Sequence, residues 1–272
     1  MSRHQEIRRI GVRDICLRKG KEPIVCLTSY GAPFAPLLDK HIDLFIVGDS
    51  MGMVLYGHES TLTLSLQTMI AHAATVTATT QRACVVADLP FGTYQESPQQ
   101  AFRSAARLLK HSGAQAVKME GGVELTETIA FLTQRGIPVM AHMGLKPQHM
   151  LTQGGYRYQG RNAEEADAML AEARAFEEAG AFSLLIEGTS EPVAKRITEA
   201  VSIPTIGIGA SPACDGQVLV TEDMLGLHER TPRFVREFAQ LRHNVDEAVA
   251  AYAAAVRERS FPGEAECFTP ES

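Results

Sequence analysis

Eight short apolar runs, at 24–29, 42–49, 83–88, 114–120, 138–143, 182–187, 203–208 and 217–221, alternate along this chain with stretches of helical period. A parallel strand needs a crossover, usually a helix, before the next can pair, so strand and helix repeated eight times point to a parallel barrel rather than a sandwich. The helical stretches fall at 35–40, 66–80, 98–111, 124–135, 163–179 and 192–200, and Gly113, Gly136 and Gly180 stand where helix stops are expected. The weakest connection follows the seventh run, because Ser211-Pro212-Ala213-Cys214-Asp215-Gly216 reads as a turn. An extra helix is expected at 6–19, within an N-terminal extension of residues 1–23, and C-terminal helices with a turn-rich tail across 231–272. The predicted fold class is therefore α/β, a (β/α)8 TIM barrel with an extra N-terminal helix and C-terminal helices. Its 272 residues suit one barrel domain, which typically takes about 250.

Five of the runs end in residues that can hold a cation or move a proton: Asp49, Asp88, Lys118 with Glu120, His142, and Glu187. In a parallel barrel all strand C-termini open on one face, where active sites are assembled, so these groups are expected to converge. The chain reads as an enzyme. Its formal net charge of −6 leaves no basic face for nucleic acid, and no run reaches the roughly 18 apolar residues of a membrane span. Cys16, Cys26, Cys84, Cys214 and Cys267 are odd in number and widely spaced, with no C-x-x-C pair. That pattern fits a reducing compartment, and the N-terminus lacks the apolar core of a secretion signal.

Asp49, Asp88 and Glu120 offer hard oxygen ligands, a set suited to Mg²⁺ rather than zinc. Lys118 and Glu120 are two apart in one strand and share a face, so the lysine is either a point charge for a substrate carboxylate or a Schiff-base amine. His142 could donate to substrate or a developing oxyanion, while His72 lies in a helical pattern and reads as a supporting residue. Glu187 closes an almost wholly apolar strand, which would desolvate it and suit it to act as a general base. Loops 50–65 and 144–162 follow strand C-termini, and the second, rich in glycine, aromatics and arginine, suits a mobile lid or a subunit contact. GIGAS at 207–211 is too short for a dinucleotide fingerprint.

The segments LTSYGAPFAPLLD (27–39), VGDSMGMVLYGHEST (47–61), VVADLPFGTY (85–94), VKMEGG (117–122), HMGLKPQ (142–148), GGYRYQGR (154–161), PTIGIGA (204–210), DGQVLVTEDMLG (215–226) and FPGEAECF (261–268) together resemble the ketopantoate hydroxymethyltransferase family. The resemblance implies one-carbon transfer from 5,10-methylenetetrahydrofolate to 3-methyl-2-oxobutanoate, giving 2-dehydropantoate for pantothenate synthesis by way of an Mg-stabilised enolate. It also implies Mg²⁺ on Asp49, Asp88 and Glu120, substrate contacts from Asp49, Ser50, Asp88 and Lys118, and Glu187 as proton acceptor. Family members are cytoplasmic and form large homo-oligomers, commonly decamers. The chain departs from the family pattern at Lys146, at Ser211 and in Gly188-Thr189-Ser190-Glu191-Pro192 after the expected base. A lyase or mutase of the phosphoenolpyruvate mutase and isocitrate lyase type would use similar ligands and differ in product, and a non-catalytic barrel would have no need of the carboxylate set.

Overall fold

A computed structural model describes residues 8–155 and 157–268. The chain divides into two compact units, Met1–Val220 and Thr221–Ser272. The first unit is a closed barrel of eight parallel strands in chain order: β1 (Ile24–Thr28), β2 (Leu44–Val47), β3 (Cys84–Asp88), β4 (Ala116–Glu120), β5 (Val139–Gly144), β6 (Ser183–Glu187), β7 (Thr205–Ile208) and β8 (Gly216–Leu219). β1 closes the ring by pairing with β8, with Ile24 opposite Gly216.

The six expected helices form at Ala35–Asp39, Leu66–Thr79, Pro98–Ser112, Thr126–Thr133, Ala163–Glu178 and Glu191–Ala200. Their starts have local causes. Ser65, Ser97 and Asn162 each accept a backbone N–H with the side chain at the N-cap, and Pro98 fills a first-turn position that has no need of a donor. Gly113, Gly136 and Gly180 all adopt left-handed backbone, the conformation that ends a helix cheaply only without a Cβ. Between β7 and β8 the chain makes turns and no helix, as expected. There Asp215 accepts from Lys19 Nζ at 2.9 Å and from the backbone N–H groups of Gly20 and Thr205 at 2.8 Å, tying the N-terminal segment to the barrel.

Two expectations need correction. The N-terminal helix is only Val12–Cys16, because Gly11 opens it and the chain turns from residue 17 to Gly20; residues 6 and 7 lie outside the described residues. In the second unit the long helix is Leu241–Arg257, while 231–240 are irregular, as suits a stretch opening with Pro232. Of the tail, residues 269–272 lie outside the described residues.

Residues on successive strand positions face opposite ways and build two cores. Phe45, Val47, Val85, Ala87, Val117, Met119, Val139 and Ala141 pack outward against the helices. Leu44, Ile46, Cys84, Val86, Ala116, Met140 and Leu185 fill the barrel interior. All five cysteines are free. Cys26 and Cys84 serve as small interior hydrophobes, and burial pushes the Cys84 thiol up to about 12. Among the described residues no helix is long and apolar enough to cross a membrane.

Candidate active site

The inward parity of the strands, carried one step past the apolar layers, delivers the polar residues. Asp88 follows Cys84 and Val86; Lys118 and Glu120 follow Ala116; His142 follows Met140; and Glu187 follows Leu185. Register then sets neighbours, with Asp88 opposite Lys118 and Glu120 opposite His142. Asp49 arrives from the turn after β2, where its backbone N–H donates to Asp88 Oδ2 at 3.0 Å.

Lys118 is buried, and its Nζ stands 2.9 Å from Asp88 Oδ2. Burial alone would lower its proton affinity, but Asp88, Asp49 and Glu120 outweigh that and hold it above the ordinary lysine value. Asp49 behaves oppositely: burial, then repulsion from Asp88 and Glu120, pushes its carboxyl up to about 8. Glu120 is held below the usual carboxylate range, because His142, Lys118 and the Gln148 backbone N–H together overcome its burial.

His142 lies at the centre of this group. Its Nδ1 is 3.3 Å from both Lys118 Nζ and Glu120 Oε2, and its Nε2 is 3.2 Å from Glu187 Oε2. Nδ1 can accept from the ammonium when the ring is neutral, or face Glu120 as a donor when it is an imidazolium, but not both at once. Neither carboxylate contact has the alignment of a hydrogen bond, so they act through charge. Burial and Lys118 lower the imidazole's proton affinity, yet the two carboxylates prevail and raise it.

The structure thus gathers Asp49, Asp88, Lys118, Glu120, His142 and Glu187 at one mouth of the barrel. Glu187 is less desolvated than its strand suggests, since its side chain keeps 19% of its exposure at the strand tip. Ser50 meets Tyr30 Oη at 2.8 Å, and His72 supports that arrangement with Nδ1 2.5 Å from the Tyr30 carbonyl oxygen. In the GIGAS turn Ser211 Oγ donates to Glu191 Oε1 at 2.9 Å.

Sequence reasoning missed two buried polar residues beneath the carboxylates. Tyr94 Oη lies 2.8 Å from the Glu120 carbonyl oxygen, and Gln148 Nε2 donates to Asp49 Oδ2 at 2.8 Å. Gln148 belongs to the loop 144–162, which suited a mobile lid or a subunit contact. Its first part is folded into short helices at Pro147–His149 and Met150–Gln153, with Gln148 buried. Pro147, a helix-start residue, stands directly before it, and Gln148 and Tyr94 close segments that carry the resemblance, HMGLKPQ and VVADLPFGTY, without either being singled out.

Gly144, opposite Glu187 in the β5–β6 pairing, has φ +90°, and a Cβ there would lie 2.6 Å from Thr189 Oγ1 and closer still to the Glu187 carbonyl oxygen. Gly144→Ala is expected to cost about 1–3 kcal/mol of stability and to lower turnover by displacing Glu187. Denaturant unfolding alongside a turnover assay checks this; an unchanged midpoint would show that the strands part freely.

Asp88 Oδ1 and Glu120 Oε2 are buried without a hydrogen-bond partner, a costly state unless a ligand completes them. Among the described residues no three acidic, histidine or cysteine side chains are already drawn together as a finished metal site. The three carboxylates are hard donors around one mouth, and the orphaned oxygens fit a small divalent cation better than a soft one.

The family model described as ketopantoate hydroxymethyltransferase matches residues 9–264. A 3-methyl-2-oxobutanoate hydroxymethyltransferase of Paramagnetospirillum magneticum is 57% identical over 269 residues, covering 98% of each chain. That of Rhizobium rhizogenes is 58% identical over 254 residues, covering 93% of each. Among solved structures, phosphonopyruvate hydrolase in complex with oxalate and Mg²⁺ shares the fold at a TM-score of 0.61 and 14% identity, covering 93% of this chain and 90% of that one. Likeness at that level is one of fold, whereas a family model matched over residues 9–264 and relatives more than half identical along nearly the whole length carry the assignment: the chain belongs to the ketopantoate hydroxymethyltransferase family.

Proposed function

We propose that the barrel mouth transfers a hydroxymethyl group from 5,10-methylenetetrahydrofolate to C3 of 3-methyl-2-oxobutanoate, giving 2-dehydropantoate and tetrahydrofolate with one water consumed. The observation that carries this reading is the burial of Asp49, Asp88 and Glu120 around a single ammonium, in a chain of this family. Three buried carboxyl groups crowd together, so that Asp49 is pushed up to about 8, and Asp88 Oδ1 and Glu120 Oε2 have no hydrogen-bond partner; a divalent cation would relieve both, and Asp49, Asp88 and Glu120 are the residues that would hold Mg²⁺. When bound, the ion supplies positive charge opposite the carboxylate and keto oxygens of a 2-oxo acid, lowering the cost of the enolate's negative charge.

The chain's own residues supply the rest. Lys118, kept protonated by the surrounding carboxylates, is unsuited to attack a carbonyl and serves as a point charge for the substrate carboxylate, with Ser50 as a neighbouring donor. Glu187, partly exposed at the tip of β6, can reach a substrate lying over the mouth and take the C3 proton. His142 Nε2, 3.2 Å from Glu187 Oε2, steadies that carboxylate before the proton moves. Water releases the one-carbon unit from the two folate nitrogens at the oxidation level of formaldehyde, leaving tetrahydrofolate; C3 bonds to its carbon as the C=O π bond opens, and the new alkoxide takes up the proton that Glu187 removed. The buried floor of the site keeps water from the enolate on its inner side.

Purified enzyme given 3-methyl-2-oxobutanoate, methylenetetrahydrofolate and Mg²⁺ is expected to form 2-dehydropantoate, and chelation should abolish product formation until the ion is restored. Full activity after chelation would remove the cation from the site. No product from the complete mixture would instead favour the lyase chemistry of barrels that share this fold.

A further inference from the structure

Gln148 enters the barrel mouth from the loop after β5 with each polar atom of its side chain engaged. Nε2 donates to Asp49 Oδ2 at 2.8 Å and to the Leu89 carbonyl oxygen at 3.1 Å, while Oε1 lies 2.8 Å from Tyr94 Oη and accepts from Gln95 Nε2 at 3.0 Å. Its backbone N–H donates to Glu120 Oε1. One buried residue therefore touches the ends of β2, β3 and β4 and two of the three proposed cation ligands.

The orientation of the amide is fixed by its surroundings. Flipped, it would set Oε1 against the Asp49 carboxylate and the Leu89 carbonyl oxygen, and Nε2 against the Gln95 amide donor. Tyr94 is itself held, because its Oη accepts the Glu120 backbone N–H at 3.2 Å. The amide thus presents hydrogen to Asp49 and fixes the plane of that carboxylate. A carboxylate with its plane fixed meets a cation without first losing rotational freedom, and a backbone N–H on Glu120 Oε1 does the same for the second ligand.

We infer that Gln148 is the positioning residue of the cation site: it holds Asp49 through its amide and Glu120 through its backbone, while the Gln95 amide, aided by a Tyr94 hydroxyl whose one proton is shared between Gln148 Oε1 and the Glu120 carbonyl oxygen, keeps that amide in the donating orientation. This rests on the assignment of Asp49 and Glu120 as ligands. The alternative is a loop tether, whose loss would lower stability and leave cation affinity alone.

Gln148→Met keeps the unbranched shape and removes the side-chain hydrogen bonds, leaving the backbone donor to Glu120. Binding of Mn²⁺, another oxygen-seeking divalent ion, can be read from the electron paramagnetic resonance signal of the free ion, independently of turnover. Affinity is expected to fall about 10- to 100-fold in Gln148→Met, with the fold intact by circular dichroism. Tyr94→Phe, which removes only the hydroxyl, should weaken binding in the same direction by a smaller factor; if Gln148→Met does not fold, this variant decides. Wild-type affinity in the folded Gln148→Met protein, or in Tyr94→Phe should that decide, overturns the inference. Asp49→Ala is measured in parallel: if it loses Mn²⁺ while Gln148→Met retains it, the ligand assignment stands and the positioning role falls. If Asp49→Ala retains wild-type affinity, the ligand assignment falls and the inference with it.

Discussion

Replacing Lys118 by methionine is expected to cost the enzyme, stripped of divalent ions, about 3–5 kcal/mol of folding stability. The ammonium and its partner Asp88 are both buried at 2.9 Å, and Asp49 and Glu120 lie close enough to raise its proton affinity further. Without it the carboxylates repel one another with little water to screen them. The pH dependence has a definite sign. Asp49 titrates at about 8 in the folded chain against an ordinary 3.8, so the folded state holds a proton that the unfolded state releases. Stability of the ion-free protein should therefore be greatest below about 4 as far as Asp49 is concerned and fall as pH rises towards 8. Lys118→Met should steepen that fall, and added Mg²⁺ should recover part of the loss by replacing the missing positive charge. Denaturant titrations across that pH range, with and without the ion, check both. A loss below 1 kcal/mol, or a flat pH profile, would mean that water reaches these carboxylates freely.

Glu187→Gln is expected to slow exchange of the C3 proton of 3-methyl-2-oxobutanoate with deuterated solvent by about 10²- to 10⁴-fold. Amide and carboxylate have the same shape, so the packing of β6 persists, while the capacity to accept a proton is lost together with the charge that faces His142 Nε2. Binding of the ion and of the oxo acid should be nearly unchanged, which separates proton transfer from assembly of the site. The measurement is made with substrate and Mg²⁺ and without folate, so that under the proposed mechanism it isolates the first half of the reaction. Exchange at the wild-type rate in the Gln variant would transfer the role to His142, the next proton-accepting group at the mouth.

The barrel was legible because each strand is short, apolar and followed by helical period, and because the boundaries have local causes such as Ser97-Pro98 at one helix start and Gly113 at its end. The charged residues were legible for a related reason: Asp88, Lys118, Glu120, His142 and Glu187 stand at strand ends, where topology alone predicts that they meet. Gln148 and Tyr94 were not. Their burial depends on how the segments 89–97 and 145–153 fold over the strand ends, and the polar composition of FGTYQESP and LKPQHMLTQ reads as solvent-facing. Glu187 shows the limit from the other side. The strand gave its position, but its residual exposure is set by neighbouring loops, so an apolar run could not tell how dry the carboxylate would be. The short N-terminal helix was missed as to length because its apolar residues serve as a plug, with Ile15 in the interior cluster, and not as a helical stripe.

The alternation that carries the interior layers of the barrel up to its polar rim also guards against misassembly. If β4 slipped by one residue against its neighbours, Lys118 would point into the apolar shell beneath the helices and Asp88 would keep its charge with no counterpart. Such an arrangement would be far costlier than a slip in a barrel lined only by Val and Ile, where one aliphatic side chain substitutes for another. The charged residues of the mouth therefore act as proofreaders of assembly, and a chain in which they meet certifies its own strand register.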